Sequence, residues 1–154
     1  MGGRLRWFWS RVRASFRWTW RDRWCALEAC AVLGLARVAI LLVPFRHLAP
    51  ALGQRTGGST ETPCDDPLLA QRVTLAIRRA ARVAPWGRNC LAQAIAGQLM
   101  LRRRGVRTTL YLGVKKQGHQ VEAHAWLRAG DLVVTGGPGH TDYTPISSFG
   151  ANRP

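Results

Sequence analysis

The hydrophobic rhythm of this chain changes at Gly105, and that change decides the fold class. Upstream, Leu69, Val73, Ala76, Ile77 and Ala80 recur at the spacing of one helical face, with Arg72, Arg78, Arg79 and Arg82 outside it. Asp66 as N-cap and Pro67 at the first helical position start this helix, and Pro85 ends it. A second helix is expected from Cys90 to Arg104. Asn89 caps it, Leu91, Ile95, Gln98, Leu99 and Arg102 keep the period, and Gly105 is a left-handed stop. Downstream the period is two. Leu110, Leu112 and Val114 alternate with Thr109, Tyr111 and Gly113. Gln120 to Arg128 alternates again, with Val121, Ala123, Ala125 and Leu127 on one side and Glu122, His124 and Trp126 on the other. Ala129-Gly130-Asp131 makes a turn, and Leu132 to Thr135 return as the partner strand. Helix, helix, then antiparallel sheet is an α+β arrangement.

Ahead of this region the chain reads differently. Residues 1–24 interleave seven Arg with Trp7, Phe8, Trp9, Phe16, Trp18, Trp20 and Trp24. Such a mixture suits a membrane surface, nucleic acid or an acidic partner, or aromatics packed on the domain beneath solvated arginines. Leu27 to Val43 is almost wholly apolar and stops at Pro44. Arg37 lies well inside it, and a mid-span Arg is unfavourable by about 2.5–3.5 kcal/mol on insertion scales. A buried or surface-docked helix is expected there rather than a span. Pro50 to Pro63 has the Gly, Ser, Thr and Pro content of a loop. The expected organisation is therefore a basic, aromatic arm with an apolar helix (1–49), a linker (50–65) and a folded domain (66–154).

The net charge of +15 draws anionic partners in a salt-dependent way without choosing among them. Cys25, Cys30, Cys64 and Cys90 form no CxxC pair and no zinc-type cluster with histidine, so no metal or other cofactor is implied. No apolar signal region precedes them, which makes free thiols in a reducing, cytoplasmic compartment the expectation. Cys25, Cys30 and Cys64 read as small buried hydrophobes.

Cys90 is different because it falls in the first turn of its helix. Unpaired backbone N–H groups and the positive dipole end there stabilise a thiolate, the nucleophilic form. His124 sits mid-strand in Glu-Ala-His-Ala-Trp, where it is either a base or a satisfied core residue. A cysteine at a helix start with a histidine on a later strand is the arrangement many cysteine hydrolases use. His47, His119 and His140 lack such a setting and are expected on the surface.

Asn-Cys-Leu-Ala-Gln-Ala at 89–94, Leu-Arg-Arg-Arg-Gly-Val at 101–106, Leu-Gly-Val at 112–114 and Ala-His-Ala-Trp-Leu at 123–127 occur in this order. Together they resemble the leader peptidases of lasso-peptide biosynthesis, whose fold is similar to transglutaminases and, more broadly, to papain-like cysteine proteases. The likeness covers about residues 67–149 and extends more loosely to the helix ending in Pro44-Phe45-Arg46. It implies a cysteine peptidase that removes the leader from a precursor peptide before an ATP-dependent macrolactam cyclase closes the ring. A companion protein that binds the leader is the implied partner. The Arg surplus of the arm and helices is expected to serve an anionic leader, that companion protein or a membrane surface touched through the arm, with no specific nucleic acid. By carry-over Cys90 is the nucleophile and His124 the general base and acid. The contrasting reading is a basic membrane- or nucleic-acid-binding module on a catalytically inactive fold.

One residue departs from the resemblance. The usual orienting Asp, twelve positions after the histidine, is here Gly136. A hairpin centred on Gly130 would place residue 136 opposite His124. Asp131, seven strand residues away, would lie about 20 Å from the ring. Asp142 or a backbone carbonyl could orient the imidazole instead.

Overall fold

The computed structural model describes residues 19–55 and 63–151, so the arm reading of residues 1–18 and part of the loop lie outside it. Helix α1 (Trp20–Leu42) starts earlier than the apolar run suggests. Thr19 and Asp22 form a reciprocal capping box, the Asp22 N–H donating to the Thr19 hydroxyl at 3.4 Å and the Thr19 N–H to the Asp22 carboxylate at 3.2 Å. A single turn, α2 (Phe45–Leu48), and a 3₁₀ turn (Ala49–Leu52) follow Pro44. Next come strand β1 (Gln54–Arg55), helix α3 (Pro67–Val83) and helix α4 (Cys90–Arg102). Strands β2 (Thr108–Gln117), β3 (Gln120–Ala129), β4 (Leu132–Thr135) and β5 (Thr144–Ala151) complete the chain.

The five strands form one antiparallel sheet in the order β1-β5-β2-β3-β4, so the α+β expectation holds. Strand β5 is an element the sequence reading did not anticipate. Its residues are mostly small or polar, and its partners are β1 and β2, far away in sequence.

Helix α4 lies against the sheet, with α3 and α1 packed around it. Of the residues that keep the helical period in α4, Ile95 and Gln98 are buried; Ala92, Ala94, Ala96, Gly97, Met100 and Leu101 are buried too, so the helix is covered on most sides. An all-round apolar helix is a central one. Helix α3 keeps the expected amphipathic pattern, burying Val73, Ala76, Ile77 and Ala80.

One core unites these elements. Leu33 of α1, Ile77 of α3, Met100 and Leu101 of α4, Leu110 of β2 and Leu127 of β3 are all fully buried in it. Each is worth about 1.5–3 kcal/mol of burial. Residues on both sides of the Pro50–Pro63 loop therefore share a single interior. The described ends of that loop are themselves anchored. Leu52 is buried, Gln54 and Arg55 pair with β5, and the Cys64 N–H donates to the Asp131 carboxylate at 3.2 Å.

Helix α1 is long and apolar enough to cross a bilayer by length and composition. Its inner face, Ala29, Val32, Leu33 and Ala36, is part of the core, while Trp20, Leu27, Leu35 and Leu42 on it are exposed.

Candidate active site

Cys90 begins α4 because Asn89 caps the helix. The Asn89 side-chain oxygen accepts from the Ala92 N–H at 2.8 Å, satisfying one of the donors a helix start leaves open. Cys90 thus becomes the first helical residue, half-buried against the core edge. The preceding loop is held by Gln93, whose amide donates to the Gly87 carbonyl at 2.6 Å.

His124 reaches the same place from β3. Both residues line one cavity of about 300 Å³, together with Ile77, Arg78, Arg88, Gln93, Val134, Thr135, Gly136 and Gly137. Helix α4 supplies the thiol, strand β3 the imidazole, and the segment after β4 the far wall.

The group beside the imidazole is a backbone carbonyl. His124 Nε2 lies 2.9 Å from the Gly136 oxygen. A carbonyl can only accept, so Nε2 carries the proton and the neutral ring keeps its lone pair on Nδ1. Neither acidic substitute reaches the ring. Asp131 accepts from the Cys64 N–H, and Asp142 pairs with Lys115 at 3.0 Å.

The expected hairpin register is corrected here. A two-residue turn pairs Ala129 with Leu132, and a bulge between Leu127 and Arg128 pairs Leu127 with Thr135. Continuing that register brings Gly136 alongside Trp126 rather than opposite His124. Gly136 has φ +101°, and a Cβ built on it would collide with Trp126 Cβ and come within 2.9 Å of its Cα. The position accepts glycine and offers its carbonyl.

Two aromatic rings neighbour the imidazole. Tyr143 lies tilted against it at 4.8 Å between centroids, and Trp126 stacks at 6.2 Å. Trp126 in turn stacks on Tyr111 at 5.4 Å. A hydrogen bond with the Glu122 side chain pushes the Tyr143 phenol above its ordinary range. His140, expected on the surface, is half-buried and tilted against Trp126 at 5.8 Å, with Nδ1–H donating to the Gly137 carbonyl at 2.9 Å. His47 and His119 are exposed as expected.

The other thiols lie elsewhere. Cys64 is buried, and Cys25 and Cys30 pack partly buried against the core. Burial pushes the Cys25 and Cys64 thiols up, away from the nucleophilic form. Among the described residues no cluster of His, Cys, Asp and Glu has the makings of a metal site.

Sequence reasoning singled out Cys90 and His124, which line one cavity, and left the ring's partner open. It did not find Tyr143, Arg78, Arg88 or Gln93 as neighbours of the pair. By helical spacing Arg78 belongs to the outer face of α3, yet it lines the cavity.

A thiol at a helix start, an imidazole with a fixed tautomer and a shared cavity form a set able to attack a carbonyl carbon. The family model described as the transglutaminase-like superfamily matches residues 30–148. No curated protein and no solved structure gives a significant match.

Proposed function

The chain belongs to the transglutaminase-like superfamily, and from that premise we propose that it is a cysteine peptidase acting on a ribosomally made precursor peptide. The observation that carries this reading is the meeting of Cys90 and His124 in one cavity, with the Gly136 carbonyl on the imidazole. The resemblance at 89–94 and 123–127 supports the finer assignment, removal of a lasso-peptide leader before macrolactam closure.

In this mechanism His124 Nδ1 takes the thiol proton as Cys90 Sγ attacks the scissile carbonyl carbon. The S–C bond forms, and the oxyanion meets backbone N–H groups at the start of α4. Collapse breaks the C–N bond, and the imidazolium returns its proton to the departing amine. Water then attacks the thioester, His124 accepts its proton, and cleavage of the S–C bond restores the thiol. The Gly136 carbonyl holds the ring in the useful tautomer throughout and stabilises the imidazolium as a dipole. A carboxylate would add a full charge, so this enzyme is slower than a relative with an Asp in that role. The thiolate's intrinsic nucleophilicity makes the weaker support workable.

A leader-binding companion protein presents the precursor, and the released core passes to the ATP-dependent cyclase. Reaction takes place in the cytoplasm.

Mass spectrometry tests this on a candidate precursor with the companion protein present. Wild type should cut at one position, and Cys90→Ala and His124→Ala should reduce the rate at least about 10³-fold, the scale of losing a nucleophile or its base. Equal cleavage by all three proteins, or none by any, would remove the support for this pair. Transfer of the acyl group to an amine instead of water would point to a transglutaminase.

A further inference from the structure

Helix α1 has two apolar faces, and the fold covers one of them. Ala29, Val32, Leu33 and Ala36 face the core. Trp20, Trp24, Leu27, Leu35, Val38 and Leu42 lie along the opposite side, between 51% and 76% exposed. Their spacing keeps them on one stripe of the helix, and Ala31, also exposed, fills the gap. Twenty-three residues make that stripe about 34 Å long. No charged residue interrupts it. An apolar strip of this extent on a protein surface marks a contact.

The surrounding charge identifies what makes the contact. Arg21 and Arg23, both exposed, lie roughly a quarter turn to either side of the stripe by the 100° helical step. Residues 1–18 add five Arg and no acidic residue to the sequence just before it. Trp20 and Trp24 stand edge to face at 5.4 Å at the N-terminal end of the stripe. They border a groove of about 310 Å³ that also contains Arg21, Arg72 and Arg104. The two carboxylates in the groove are engaged, Glu28 with Arg104 and Asp22 with Thr19. Arg21 and Arg72 line the groove beside them, and Arg72 also acts on the Asp22 carboxylate.

We propose that the outer face of α1 lies on an anionic lipid bilayer. The aliphatic stripe enters the acyl boundary, the Trp pair sits at headgroup depth, and Arg21, Arg23 and Arg72 meet lipid phosphates. Aliphatic residues on one face, tryptophans at one end and flanking arginines are the composition of an interfacial helix. A helix crossing the bilayer would strip Leu33 and Ala36 from α3 and α4, so α1 rests in the interface plane. Pairing with a second copy would oppose two surfaces of the same sign, each on a chain of charge +15. The inference is independent of the peptidase reading.

Vesicle flotation of the full chain tests it, with phosphatidylcholine alone and with phosphatidylcholine mixed with phosphatidylglycerol. Wild type should float with the mixed vesicles and bind them at least about tenfold more tightly than neutral ones, with the preference shrinking as salt rises. The double variant Leu27→Glu/Leu35→Glu should lose at least about tenfold in binding while keeping its circular dichroism melt. Arg21→Glu/Arg23→Glu should reduce the preference for anionic lipid at least about threefold. Equal flotation of wild type and the stripe variant would overturn the proposal, because the arm alone would then suffice. Failure to float, or a dimer in sedimentation that the stripe variant disperses, would overturn it as well.

Discussion

His124 Nε2 lies 2.9 Å from the carbonyl oxygen of Gly136, a backbone group at the position where an orienting Asp side chain was expected. The neighbours of Gly136 explain why a side chain is missing. Its φ of +101° is a conformation that L-residues rarely adopt, and Trp126 occupies the space a Cβ would need. Trp126 also forms one side of the aromatic support of His124. The tryptophan and the glycine are thus one arrangement.

Gly136→Asp should therefore fail to restore a stronger triad. The left-handed conformation alone costs about 1–2 kcal/mol for a residue with a Cβ, and the collision with Trp126 adds to it. Gly136→Ala, which introduces only the Cβ, should lower the melting temperature by at least about 5 °C. Gly136→Asp should melt no higher than Gly136→Ala and cleave more slowly than wild type. Thermal denaturation and initial rates check both. A faster Gly136→Asp enzyme would mean that the segment after β4 rearranges freely.

Asn89→Ala should destabilise the protein by about 1 kcal/mol through loss of the cap on α4. It should also slow cleavage, because Cys90 is the residue that the cap holds at the first helical position. Asn89→Ser, which caps the same N–H groups, should recover most of the stability. Chemical denaturation of the three proteins, with initial rates alongside, checks this.

Most of what places the cysteine is written locally. Asp66-Pro67, Asn89 and Gly105 each act within a turn of their own position; α3 and α4 begin where the first two place them, and α4 ends just before Gly105 at φ +73°. The α1 start was obscured because its capping pair, Thr19 and Asp22, lies inside an Arg/Trp-rich run that reads as an arm. What places the histidine's partner is not local. A bulge at Leu127/Arg128 shifts the hairpin register, and a carbonyl leaves no signature in residue type. Strand β5 was missed because its pairing with β1 and β2 rather than its own pattern holds it, with Pro145 and exposed Ile146 disguising the alternation. Tyr143, at the foot of that strand, was missed with it.

Tyr143 packs on His124 by its ring, so the hydroxyl and the ring should separate by substitution. Tyr143→Phe keeps the ring and should cleave within about threefold of wild type. Tyr143→Ala frees one face of the imidazole and should reduce kcat by about tenfold or more, with KM changing less, because a base displaced by an ångström loses alignment. Steady-state kinetics on the same precursor distinguishes the two. Equal losses would assign the effect to the Glu122 hydrogen bond instead.

Arg78 and Arg88 line the cavity with Cys90, and among the described residues no carboxylate lines it with them. Each arginine is exposed and so contributes only about 0.2–1 kcal/mol toward a nearby anion. Two acting together should still favour a negatively charged reagent at the thiol. Iodoacetate and iodoacetamide deliver the same methylene carbon with and without a carboxylate, and mass mapping of the Cys90 peptide separates it from Cys25, Cys30 and Cys64. The iodoacetate-to-iodoacetamide rate ratio at Cys90 should exceed that at Cys30, and Arg78→Glu/Arg88→Glu should reduce it by about tenfold. On a peptide substrate the same pair should favour Glu over Gln beside the scissile bond, mainly through KM. An unchanged ratio in the double variant would show that the two guanidiniums are too well solvated to act, and peptide selectivity would then have to come from the neutral wall formed by Ile77, Gln93 and Val134.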